Sequence, residues 1–184
     1  MSRNLSAVIL ALGLVASGFA VQAATPAAPT SATLNLLGPN VGLEGYDPVS
    51  YWSEGSSNPM QVTINDFGGV DSYRPKGGGK PRQGTIKLTY DFGGVSYRFA
   101  NEKNLETFKT DPNRFLPQYG GYCAWAIGAI NQRVDVNPNH FVIRDGKLYL
   151  FFSDANITTR DMWKKDTVAL IEKGDAAYAK LLAQ

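Results

Sequence analysis

Two short stretches alternate apolar and polar side chains. GTIKLTY at 84–90 and VSYRFA at 95–100 carry the β-branched and aromatic content of strands, and MQVTI at 60–64 shares it. Asp91-Phe92-Gly93-Gly94 stands between the first two as a tight hairpin turn. HFVIRDGKLYLFFS at 140–153 predicts a second hairpin, with Phe141/Ile143 and Leu148/Leu150 alternating on either side of an Asp145-Gly146 turn. The period changes at NEKNLETFKTDPNRF, residues 101–115. Asn101 caps a helix there, Leu105 and Phe108 form its apolar stripe, and Asp111-Pro112 ends it. Near the C-terminus Trp163, Leu170 and Ile171 are helically spaced. Gly174 reads as a stop, followed by a short helix carrying Tyr178, Leu181 and Leu182. Residues 65–84 hold six glycines and read as a loop, in which DFGGVDSY at 66–73 echoes DFGGVSY at 91–97 as a duplicated hairpin tip. The expected class is α+β: a small antiparallel sheet built from hairpins with two or three packed helices.

The first thirty residues belong to a different pattern. Arg3 supplies a positive start, Ala7 to Ala20 an apolar core, and Val21-Gln22-Ala23 a small-x-small cleavage signature. Residues 1–23 thus read as a secretory signal peptide, and the apolar run is short for a membrane span. Residues 24–35, rich in Ala, Pro and Thr, read as a flexible tether, and 36–184 as one domain. The expected location is periplasmic or secreted, with no stable membrane anchor after cleavage.

Composition narrows the chemistry further. The net charge is only +2 and no Lys/Arg cluster tracks a surface, so nucleic acid is not an expected partner. One cysteine excludes an internal disulfide, and one histidine excludes a zinc-protease helix or a multi-histidine cage. GGGKP at 77–81 lacks the glycine spacing and hydroxyl of a phosphate loop. DVNPN at 135–139 begins like a calcium loop but continues with His140 at the sixth position and Gly146 at the twelfth.

Three phrases together resemble the YHS domain family, in particular its exported bacterial branch: GYDPVSYW (45–52), YRFANEKNLETFKTDPNRFLPQYGGYCAWA (97–126) and DGKLYLFF (145–152). The resemblance spans roughly Gly42 to Trp163. Metal-associated members of that family, such as domains attached to heavy-metal pumps, place cysteines at three points of this framework. Here those points hold Ser50, Ala100 and Asn104, so the resemblance implies the scaffold and not its thiolate site.

Cys123 and His140 are therefore the candidate metal ligands, for copper or another soft metal. Cys123 also reads as a small buried hydrophobe or as a thiolate nucleophile with His140 as its base. Asp47, before Pro48, reads as a turn carboxylate accepting backbone N–H groups. Tyr46, Tyr51, Trp52, Tyr119, Tyr122 and Trp125 are core aromatics or the lining of a cleft for a small apolar ligand. No catalytic residue is legible. The functional expectation is an exported binding protein, set against a cysteine-dependent enzyme and a structural or partner-binding module.

Overall fold

The computed structural model describes residues 33–52, 63–64, 70–72 and 81–183. The expected signal peptide (1–23), most of the tether and most of the 65–84 loop lie outside these residues.

The α+β class holds. A four-stranded sheet runs in the order β1 (Leu36–Leu37), β2 (Val41–Gly42), β6 (Val95–Phe99), β5 (Thr85–Phe92). The β5–β6 hairpin turns at Gly93-Gly94, where φ is 60° and 79°. The sheet is mixed, because β2 pairs parallel to β6 through Val41 and Ser96. Two residues of strand signal nothing in sequence; the pairing is set by the long-range return of the chain. Strand β3 (Thr63–Ile64) pairs with β4 (Val70–Ser72). The predicted loop over 65–84 thus contains a short strand, and β4 starts after DFGG just as β6 does.

The second hairpin, β7 (Asn137–Arg144) with β8 (Lys147–Phe151), is the centre of the molecule. Its side-chain alternation feeds two cores rather than one. Ile143, Leu148 and Leu150 join Tyr97, Phe99, Phe108 and Phe115, whereas Val142, Tyr149 and Phe151 join Tyr119, Ile127, Trp163 and Leu170. A hairpin buried on both faces explains the near-continuous apolar run LYLFF. Phe108 is the hub of the first core, with ring neighbours Tyr90, Phe92, Tyr97, Phe99 and Phe115 at 5.2–6.2 Å between centroids.

Phe108 is delivered by helix α1 (Glu102–Thr110), whose cap is the expected one: the Asn101 side chain accepts from Asn104 N at 2.8 Å. Asp111 ends α1, and α2 (Pro112–Phe115) follows as a single turn. Helix α3 (Ala124–Ile130) was not foreseen, since AWAIGAI is apolar on every side and shows no helical stripe. Helices α4 (Thr159–Lys164) and α5 (Thr167–Leu182) complete the chain.

Gly174 does not stop a helix: α5 runs through it. A Cβ there would lie 2.7 Å from the Tyr119 hydroxyl, so the glycine lets α5 approach the turn that carries Tyr119. The break falls earlier, at Lys165-Asp166, between α4 and α5. Thr33, Leu34 and Asn35, assigned in sequence to the tether, are bonded to the domain: Asn35 N donates to Gly120 O at 2.9 Å. Among the described residues no helix is long and apolar enough to cross a membrane.

Candidate functional site

Asp47 is fully buried and its carboxylate meets four donors. Oδ1 accepts from Val49 N at 2.8 Å and Ser50 N at 3.3 Å; Oδ2 accepts from Ala100 N at 2.9 Å and Asn104 Nδ2 at 2.7 Å. It caps the short helical turn Pro48–Tyr51, with proline at the first position where no N–H is needed. The carboxylate is a structural clamp from this turn to β6 and α1. Ser50, Ala100 and Asn104, the three positions where the family resemblance would place cysteines, are its partners.

Cys123 has no solvent exposure. Its sulfur lies 3.2 Å from Thr159 Oγ1, and that hydroxyl already donates its proton to Phe152 O at 3.0 Å. The thiol hydrogen is therefore the one shared between sulfur and Thr159, and the side chain is packed inside the domain. His140, half-buried on β7, lies 3.4 Å from Thr158 Oγ1 through Nδ1. Its pKa is held below the ordinary value, first by burial and then by the Arg160 charge, with Asp161 acting in the opposite sense. Cys123 and His140 thus meet neighbouring threonines of one stretch of chain. Among the described residues no three His, Cys, Asp or Glu side chains are grouped to hold a metal ion.

The six aromatics divide. Tyr51 and Tyr119 are core residues, and Tyr46, Trp52, Tyr122 and Trp125 pack partly buried against the two cores. Of the six, only Tyr119 also lines a cavity of about 430 Å³. This cavity lies between the β1–β2 segment and the C-terminal half of α5, floored by Leu150 and walled by Leu36, Leu43, Leu116 and Leu182. Its volume falls within the range of small-molecule sites, roughly 300–1,000 Å³.

Its rim has an unusual backbone. Leu43, Glu44 and Gly45 follow one another at φ 54°, 53° and 80°; Tyr119, Gly120 and Gly121 follow at 55°, 62° and 88°. Five of these six residues line the cavity, the exception being Gly45. Left-handed conformations at non-glycine residues cost of order 1–3 kcal/mol each and persist only where surrounding structure imposes them. The imposing contacts are present. Asn35 bonds Gly120 O through its backbone and Gly121 O through Nδ2 at 3.3 Å, and the Tyr178 hydroxyl donates to Thr33 O at 3.0 Å.

The polar groups of the lining fall into two sets. Tyr119 donates to Asp175 Oδ1 at 2.9 Å, so its proton is committed, as is that of Tyr178. Tyr97, only 6% exposed, makes no hydrogen bond among the described residues, and burial with the nearby Tyr178 pushes its pKa up to about 12. Glu44 has neither an ion pair nor a hydrogen bond among the described residues. Its pKa is raised by burial and by the Asp135 charge.

Sequence inspection singled out none of Glu44, Tyr97, Asp175 or Tyr178 as site residues. The one local signal was YGG at 119–121, where two glycines after a tyrosine permit a left-handed turn. No family model, curated protein or solved structure matches this chain. What fold and site define is a class, an α+β domain carrying a cavity of ligand size between its mixed sheet and its last helix.

Proposed function

We propose that this is a binding protein that holds a small organic ligand in the cavity between the sheet and α5, in an exported chain of YHS-like build. The observation that supports it is the pair of left-handed triplets, 43–45 and 119–121, gathered at one apolar cavity. Strained backbone concentrates at ligand sites, and here it falls where the two cores meet the cavity, at Leu43 of the first and Tyr119 of the second. The YHS-like build draws on the phrases quoted above and on the convergence of Ser50, Ala100 and Asn104 at Asp47. Export rests on the character of residues 1–23.

The metal reading places copper or another soft ion on Cys123 with His140. Their shared neighbours Thr158 and Thr159 favour it; the sealed sulfur and its hydrogen bond to Thr159 weigh more heavily against it. An enzymatic role for Cys123 meets the same obstacle, because a nucleophile must be reached by its substrate.

The cavity is tested with the neutral fluorophore N-phenyl-1-naphthylamine. Ala179 is exposed and lines the cavity from α5, so Ala179→Trp fills it without disturbing a core. The native protein should bind the dye saturably at one equivalent. The variant should keep its melting temperature and lose the binding. No saturable binding by the native protein, or equal binding by a folded variant, overturns the proposal.

A further inference from the structure

The side-chain groups of the lining are weighted toward acceptors: two carboxylates and three tyrosine oxygens stand against the Lys147 ammonium and the Gln118 and Asn35 amides. Two carboxylates, Glu44 and Asp175, face one ammonium, Lys147, which sits exposed at the rim. The hydroxyl protons of Tyr119 and Tyr178 are spent on Asp175 and on Thr33 O, so both oxygens offer the cavity lone pairs. Asn35 spends its backbone N–H on Gly120 O and one of its two side-chain N–H groups on Gly121 O. Among the described residues neither the hydroxyl of the buried Tyr97 nor the half-buried Glu44 carboxylate has a hydrogen-bond partner. Three tyrosine rings line the same space, and those of Tyr119 and Tyr178 meet edge-on with centroids 5.9 Å apart.

An anion would meet repulsion from Glu44 and Asp175, which the single Lys147 charge does not offset. A neutral apolar molecule would leave Glu44 and Tyr97 unsatisfied. A cation that donates hydrogen bonds answers both groups, and aromatic faces attract it in addition. Resting on the cavity as a ligand site, we infer that its ligand is an amine: a protonated primary or secondary ammonium on an apolar or aromatic body. The ammonium goes to Glu44, with the Tyr97 hydroxyl as a further acceptor in the same lining, and the body packs on Leu36, Leu43 and Leu150.

Three isosteric probes separate this inference from the cavity itself: 4-phenylbutylamine, 4-phenylbutan-1-ol and 4-phenylbutanoate, titrated calorimetrically into the purified protein at pH 7.5. The amine should bind at least about ten-fold more tightly than the alcohol, the margin expected from one hydrogen bond to a charged group, and the carboxylate should bind weakest. Glu44→Gln should remove most of the amine's advantage and leave the alcohol's affinity unchanged. Tyr97→Phe should cost the amine several-fold. Equal affinity for amine and alcohol, or a preference for the carboxylate, overturns the inference and leaves the cavity standing. An amine preference that survives Glu44→Gln in a folded variant also overturns it. Binding by none of the three overturns the inference and the cavity reading together.

Discussion

Replacing Asp47 by Asn changes one atom and should unfold much of what holds the first core together. The native carboxylate offers each of its oxygens to two donors, all four within 3.3 Å. An amide keeps one oxygen. Turned so that its NH2 takes the place of Oδ2, it faces Ala100 N and the Asn104 side chain. Asn104 can rotate its own amide to accept, but the Ala100 N–H cannot adapt and is left buried without a partner. That orphan costs about 1–3 kcal/mol, and the two bonds kept at Val49 and Ser50 each weaken by about 1 kcal/mol when the charge is lost. Relief of a buried charge works the other way, yet this charge is solvated by N–H donors rather than stranded. The expected loss is about 3–5 kcal/mol. For a domain of this size, each kcal/mol moves the melting point by roughly 2–4 °C, so the variant should melt about 6–20 °C lower. Urea unfolding with a double-mutant cycle to Asn104→Ala provides the assay, and the pair should couple by about 1–2 kcal/mol. An Asp47→Asn protein within about 1 kcal/mol of the native one, or more stable than it, would refute the clamp.

Three further outcomes follow from the structure. Cys123 should not react with a thiol reagent in the native state and should react at once in denaturant. Cys123→Ser should bind Cu(I) and Zn(II) with the same stoichiometry as the native protein; a stoichiometric loss would restore the metal site with His140. His140 titrates below its ordinary value of 6.5, so the stability it contributes is complete above that pH and is lost as pH falls through the lower folded value. His140→Asn should flatten that acid-side slope in melting temperature between pH 7.5 and 5, and parallel curves for the two proteins would dismiss the effect.

Much of the fold was written in local signals. Asn101 and Asp111-Pro112 bracket α1, and Asp145-Gly146 sets the turn of the second hairpin, because caps and turns depend on residues within a few positions of each other. What stayed hidden is tertiary. Gly174 looks like a helix end to any local rule; only the approach of Tyr119, 55 residues earlier in the chain, shows that it is a contact surface. Helix α3 is apolar throughout, with Ala124, Ala126, Ile127 and Gly128 buried and Ile130 exposed at its end, and such a segment carries no periodic stripe. The candidate site was hidden more thoroughly. Rare side chains draw attention, and the single cysteine and single histidine drew it here, although the sulfur is sealed. The cavity is lined by common residues taken from the β1–β2 segment, β6, the 116–121 turn, β8 and α5, and no spacing along the chain announces their meeting.

One set of bonds links the shape of the cavity to its chemistry. Thr33, Leu34 and Asn35 form a strap whose backbone and side chain satisfy Gly120 O, Gly121 O and the hydroxyls of Tyr122 and Tyr178. The left-handed turn at 119–121 needs that strap, since a turn of this kind exposes carbonyls that must find donors. Each bond holding the strap in place also removes a donor from the neighbourhood of the cavity. The fixed backbone holds ring faces and the Glu44 carboxylate, which has no partner among the described residues, at the same cavity, and the ammonium preference proposed above draws on that lining.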